Sequence, residues 1–115
     1  MSKIPPELLA TILADPWYKT CCLKGIVDHK CIPHIQFHHN LIYAGSQLQA
    51  LYCILPLDAD MHKLADNTDI KEILNWIMLN RATDLQLQLV SKAVNYTHMR
   101  DMLNKKFGKP WKPNI

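Results

Sequence analysis

Apolar residues recur at helical spacing near the start of the chain. The pattern follows a Pro-Pro dipeptide, which suits the first turn of a helix, and Asp15-Pro16 ends it. Its apolar positions are Leu8, Leu9, Ile12 and Leu13. The spacing predicts an N-terminal helix within residues 1–16 that packs its apolar face against the rest of the protein.

The second half of the chain predicts three further helices. The first covers Asp69 to Asn80 and carries an apolar stripe made by Ile70, Ile73, Leu74, Ile77 and Met78. Thr83 is a suitable N-cap for a helix from Asp84 to Ala93. Asn95 caps another from Tyr96 to Phe107, which Gly108 ends.

Between these helical regions the pattern changes to short apolar or β-branched runs separated by glycine and proline. We expect strands near Ile35 to His39 and Leu51 to Leu55, joined by a loop around Ala44-Gly45-Ser46. Asp58 is a good N-cap for a short helix from Ala59 to Asp66. The predicted order is strand, strand, helix, which places the chain in the α+β class.

Composition narrows the class of protein. A chain of 115 residues with 49% hydrophobic and 20% charged residues is the usual size and type of one globular domain. No apolar run approaches the roughly 20 residues of a membrane-spanning helix, and no apolar signal core follows Met1, so a cytoplasmic protein is expected. In the cytoplasm, cysteines are usually reduced thiols or metal ligands rather than partners in disulfides.

Positive charge is concentrated at the C-terminal end. No acidic residue follows Asp101, whereas four lysines lie around Phe107 and Trp111: Lys105, Lys106, Lys109 and Lys112. Removing these four from 13 basic residues leaves 9 against 10 acidic ones, so the excess charge is all in this stretch. It is either a nucleic-acid-binding segment or a solvated tail.

Three histidines carry the candidate chemistry. His38 and His39 are adjacent on a predicted strand and point to opposite faces, so they can do different jobs. His62 and Asp66 are four residues apart on the predicted helix and would share one face. A nitrogen and an oxygen donor suit divalent metals, and a neutral imidazole can deprotonate water at cellular pH.

Most of the chain from Asp15 resembles the HNH, or ββα-metal, endonucleases of small phage and prophage proteins. The core of the resemblance is Ile35-Gln36-Phe37-His38-His39, Tyr43-Ala44-Gly45-Ser46-Gln47, Cys53-Ile54-Leu55-Pro56-Leu57 and Met61-His62. Trp76-Ile77-Met78-Leu79-Asn80-Arg81-Ala82-Thr83 and Ser91-Lys92-Ala93 resemble the helical extension of that group.

The resemblance implies one domain with an N-terminal helix (1–16), an HNH-like ββα core (17–67), a helical extension (68–108) and a basic tail (109–115). It implies His39 as the general base and His38, His62 and Asp66 as ligands of a divalent metal. Mg²⁺ or Mn²⁺ is expected, and Zn²⁺ and Ni²⁺ are compatible. The substrate implied is DNA, duplex or branched, in a bacterial host cell.

The chain also departs from the family pattern. Cys53 occupies the catalytic slot where these nucleases usually carry asparagine, and a thiol is a poor substitute for an amide; Gln47 or Gln49 is a candidate replacement. Asp58 stands where many relatives have cysteine. The remaining thiols, Cys21, Cys22 and Cys31, are either ligands of a structural zinc site, completed by His29 or His34, or buried thiols without a metal. A non-cleaving homologue that binds nucleic acid or a protein partner is the alternative.

Overall fold

The computed structural model describes residues 4–43, 46–47, 49–91 and 93–113. It is an α+β protein, as the sequence predicts, and its chain divides into two compact units, 1–66 and 67–115. The helices are α1 (Pro6–Ala14), α2 (Ala59–Lys63), α3 (Thr68–Arg81), α4 (Asp84–Val90) and α5 (Tyr96–Phe107). The strands are β1 (Ile35–His39), β2 (Ile42–Tyr43), β3 (Ser46–Gln47) and β4 (Ile54–Asp58). No helix in these ranges has the length and apolar character needed to cross a membrane.

The first unit is built on an antiparallel ladder between β1 and β4. Ile35 lies opposite Asp58 at one end, and His39 lies opposite Ile54 at the other. All five residues of β4 are buried, whereas those of β1 are half-buried. β2 and β3 form a second antiparallel pair. The predicted β1 is therefore confirmed, while Ala44 and Gly45 of the predicted loop lie outside the described residues.

Tyr18 fixes where the second strand begins. Its hydroxyl donates toward the carbonyl oxygens of Leu51 and Ile54, at 2.9 Å from each. The segment Leu51–Cys53 is consequently a 3₁₀ turn, and β4 starts only at Ile54. The prediction of a strand from Leu51 to Leu55 was wrong at both ends, and the Tyr18 contact, from 33 residues away in the chain, accounts for the later start.

α2 begins where β4 ends. The Asp58 side chain accepts a hydrogen bond from the Met61 backbone N–H, as predicted for an N-cap. The helix ends at Lys63, and the backbone N–H of Leu64 turns back to the carbonyl oxygens of the last turn. The prediction that it continues to Asp66 was wrong. α2 packs against both β1 and β4.

The second unit consists of α3, α4 and α5, with α5 packed against the other two. Asn67 caps α3 and Thr83 caps α4 through a reciprocal capping box with Gln86. Gly108 ends α5 in the left-handed conformation, at φ +80°, as the sequence predicts. α3 starts one residue earlier than predicted and ends one later, and α4 ends at Val90 rather than Ala93.

Candidate catalytic and metal-binding sites

Gln36, His38 and His62 lie together on one face of the ladder. Residues 36 and 38 alternate with 37 on β1 and so share a face, against which α2 places His62. The ring centroids of His38 and His62 are 5.2 Å apart and the rings meet edge to face. His62 Nδ1 hydrogen-bonds Gln36 Oε1. Since an amide oxygen only accepts, Nδ1 carries the proton and Nε2 keeps a lone pair.

His39 points to the opposite face of β1. Phe37 shares that face and packs on the core formed by Ile12, Tyr18 and Ile54. His39 Nε2 lies 3.0 Å from Gln49 Oε1. The amide oxygen again accepts, which leaves Nδ1 of His39 as the basic nitrogen of the ring. Gln49 thus orients His39, and the side chain of Gln47 lies outside the described part of the chain.

The structure gives the positions of two further residues predicted for this site. Asp66 is exposed and follows the end of α2, and in the described part of the chain it does not form a set of three possible ligands with His38 and His62. Cys53 is fully buried in the 3₁₀ turn before β4, and its carbonyl oxygen accepts from the Asn40 backbone N–H. The catalytic role of Cys53 and the ligand role of Asp66 stay predictions.

A second cluster contains Cys21, His29 and Asp58. The ligand atoms of these three side chains all lie within 4.8 Å of one another, so the cluster could hold a metal ion. No other set of three histidine, cysteine or acidic side chains within the described ranges meets this distance. Cys31 adjoins it, with Sγ 3.3 Å from His29 Nε2.

The cluster contains one of the three thiols and one of the two histidines of the predicted thiol site. Cys21 belongs to it, whereas the neighbouring Cys22 is buried and outside it. His29 rather than His34 is the histidine of the cluster. Burial raises the pKa of the Cys21 thiol, and the negative charges of Asp58 and Cys31 act in the same direction. The four cysteines are free thiols.

The four lysines at the C-terminal end are exposed. Lys105 and Lys106 belong to α5, and Lys106 forms an ion pair with Glu72. The segment after α5 is tied down through its backbone, because Trp76 Nε1 donates to the Lys109 carbonyl oxygen at 3.1 Å. The first part of the predicted basic tail is therefore a fixed surface of the second unit, while residues 114–115 lie outside the described ranges.

Neither the family models, the curated proteins nor the solved structures contain a match to this chain. Inferences about its activity therefore rest on its own residues and on the motif resemblance.

Sequence reasoning missed the role of Asp58 as more than a helix cap. One signal was available, because Asp58 stands where the motif resemblance implies cysteine, and a carboxylate oxygen can also bind a metal. The contact between His29 and Asp58, 29 residues apart, could not be read from spacing alone.

Proposed function

We propose that the chain is a metal-dependent phosphodiester hydrolase of the HNH type, acting on DNA. The observation that supports this most is the placement of the three histidines. β1 directs His39 to one face, held by Gln49, and His38 to the other, beside His62 of the following helix. The residue proposed as general base and the pair proposed to bind the metal thereby belong to one short ββα arrangement, in the order that the motif resemblance implies.

His39 is the general base of the proposed reaction. Its Nε2–H is bonded to Gln49, so Nδ1 accepts a proton from water as the water oxygen attacks phosphorus. The bond from phosphorus to the leaving oxygen breaks, and that oxygen is protonated from solvent. The contact with Gln49 keeps the ring in the tautomer that can accept the proton.

His38 and His62 are the residues that would hold the metal. His62 fits this role because Nδ1 donates to Gln36 and leaves Nε2 for coordination, the arrangement usual for metal-bound histidines. When bound, the ion stabilises negative charge on the phosphate and the leaving oxygen. Because no acidic side chain in the described part of the chain completes a set of three ligands with these histidines, the donors are imidazole nitrogens, which favour Mn²⁺, Ni²⁺ or Zn²⁺ over Mg²⁺.

Exposed lysines support a polyanionic substrate. Lys105, Lys109 and Lys112 lie near the end of a chain whose remaining charge is close to neutral. Such lysines contact phosphates without reading sequence, so duplex or branched DNA fits this surface. Each phosphate contact that is lost should flatten the log-log dependence of binding on salt by about 0.7 to 0.9.

The proposal is tested with plasmid, branched and single-stranded DNA, each incubated with the full chain in Mn²⁺, Ni²⁺, Zn²⁺, Mg²⁺ or chelator. We expect nicking or cutting that needs the metal. His39→Ala should lower the single-turnover rate by roughly 10²- to 10⁴-fold, the usual contribution of a positioned proton acceptor. DNA binding should persist in this variant.

His34→Ala is the matched control, because His34 is an exposed histidine just before the same strand. It should cut like wild type. Wild type that binds DNA but cleaves none of the substrates in any metal would overturn the hydrolase proposal and leave a non-cleaving, DNA-binding HNH-like module.

A further inference from the structure

The Cys21 cluster differs in chemistry from the histidine site and takes no part in the proposed reaction. Its donors come from three stretches of the first unit: the turn that follows the first 3₁₀ segment, the loop before β1, and the end of β4. The donors that lie within 4.8 Å of one another are one thiol, one imidazole and one carboxylate, and a second thiol, that of Cys31, lies 3.3 Å from His29 Nε2. This combination of soft and borderline donors is typical of zinc rather than magnesium or calcium.

Asp58 has one oxygen to spare for a ligand. The residue is fully buried, and Oδ1 accepts from the Met61 backbone N–H at 2.8 Å, which completes the helix cap. Oδ2 faces the cluster, 3.0 Å from His29 Nε2. Burial of an ionised carboxylate is unfavourable in free energy unless it is paired with a cation or coordinates a metal, so Oδ2 is expected to have a positively charged partner.

His29 is oriented as a metal-bound histidine would be. Its Nδ1 lies 2.7 Å from the carbonyl oxygen of Val27, so the Nδ1 proton is donated to the backbone. Nε2 is thereby directed at Asp58 and Cys31. Metal-ligating histidines commonly donate the second ring N–H in this way, which fixes the ring and its tautomer.

Two thiols belong to the proposed donor set. Cys21 is buried within the cluster. Cys31 is exposed and lies against His29. With Asp58, the ligated forms of these side chains carry three negative charges beside one neutral imidazole, and a bound dication reduces the net charge of the site to −1.

We propose that Cys21, His29, Cys31 and Asp58 bind a structural Zn²⁺ ion, separate from the metal beside His62. The ion ties the loop that carries His29 and Cys31 to the junction of β4 and α2. This inference goes beyond the proposed nuclease activity and does not depend on it.

Cobalt substitution distinguishes the two metal sites. Co²⁺ bound by thiolates gives a sulfur-to-metal charge-transfer absorption, whereas Co²⁺ bound by imidazoles does not. Full-length protein stripped of metal under reducing conditions should develop this absorption on Co²⁺ addition, and stoichiometric Zn²⁺ should abolish it. His39→Ala should leave it intact, so a failure of the nuclease proposal is separable from a failure of this one.

Matched cysteine variants assign the ligands. Cys21→Ala and Cys31→Ala should each remove about half of the charge-transfer intensity, because each deletes one of two thiolates. Cys22→Ala should keep it, since Cys22 is buried next to Cys21 but lies outside the cluster. Cys31 is exposed, so its variant should still fold even if Cys21→Ala does not, and circular dichroism checks this.

Asp58→Asn tests the carboxylate without removing the helix cap, since the asparagine oxygen still accepts from Met61. It should weaken Zn²⁺ binding measured against a competing chelator and leave α2 formed. Absence of the thiolate absorption in folded wild type, or an equal loss in Cys22→Ala and Cys31→Ala, would overturn the zinc site and leave a metal-free His29–Asp58 ion pair.

Discussion

The two clusters lie on the same ladder but differ in burial and in what holds their side chains. Asp58 is fully buried and has contacts on both carboxylate oxygens. His38, His39 and His62 are half-buried, and the contacts described for His39 and His62 involve glutamine amides on one ring nitrogen each. The arrangement around Asp58 suits a metal ion that is retained for stability. At the histidine site, the second ring nitrogen of His39 and of His62 can face water, substrate or an exchangeable metal.

Donor type reinforces this difference. Thiols and a carboxylate become anionic and hold Zn²⁺ tightly, whereas neutral imidazoles bind divalent ions less strongly and release them more readily. One short ββα unit can therefore carry a structural ion at one position and a chemical centre at another. We therefore expect mutations in the Cys21 cluster to lower stability and mutations in the histidine site to lower activity.

The largest expected effect on stability is that of Asp58→Ala. It removes the helix cap and leaves His29, whose side chain is 11% exposed, without its carboxylate partner. Removing one member of a buried pair costs about 3–5 kcal/mol. Urea unfolding, with and without chelator, measures this loss in the free energy of unfolding. Asp66→Ala is the control and should stay within about 0.5 kcal/mol of wild type, since Asp66 is exposed. If Asp58→Ala and Asp66→Ala lowered the free energy of unfolding equally, the buried position of Asp58 would not account for its contribution to stability.

The next effect concerns metal affinity at the histidine site. His62→Ala should weaken Mn²⁺ binding by at least roughly 10- to 100-fold, the loss seen when even a supporting partner of a metal site is removed. The measurement is calorimetric titration of protein loaded with one equivalent of Zn²⁺, because the first Zn²⁺ fills the thiolate site, for which Mn²⁺ competes poorly, and leaves the histidine site open. Asp66→Ala should bind Mn²⁺ like wild type, and the cobalt–thiolate absorption of His62→Ala should be unchanged.

An outcome in which Asp66→Ala weakens Mn²⁺ binding as much as His62→Ala would contradict the structure here. It would restore the ligand pair that helical spacing predicted for residues 62 and 66.

Local patterns predicted most of the helices, because caps and glycine ends act within a few residues. Thr83, Asn95 and Gly108 lie at the helix boundaries that their side chains or conformational freedom predict. β1 was also correct, since the strand-forming residues Ile35 and Phe37 alternate with Gln36 just before the histidine pair.

Long-range contacts account for what the sequence did not predict. The Tyr18 hydroxyl converts an apolar, strand-like segment at Leu51 into a 3₁₀ turn. No glycine or proline follows Lys63 to mark the end of α2 in the sequence. Asn67, four residues later, caps the next helix. Asp58 joins a cluster whose other members lie 27 to 37 residues earlier, which spacing alone cannot show.

The smallest effect we predict belongs to Gln49, which positions His39 without touching the reacting phosphate. Its hydrogen bond is exposed, so its net contribution is about 0.5–1.5 kcal/mol. That corresponds to a roughly 2- to 13-fold loss of cleavage rate in Gln49→Leu. Because Gln49→Glu keeps an oxygen that accepts from His39 Nε2, this variant should recover most of the rate. Single-turnover cleavage across pH separates the two cases, since loss of the acceptor should change the apparent pKa of the rate profile as well as its height. If Gln49→Leu cuts like wild type with the same pH profile, or if Gln49→Glu is as slow as Gln49→Leu, then His39 is not oriented by this amide.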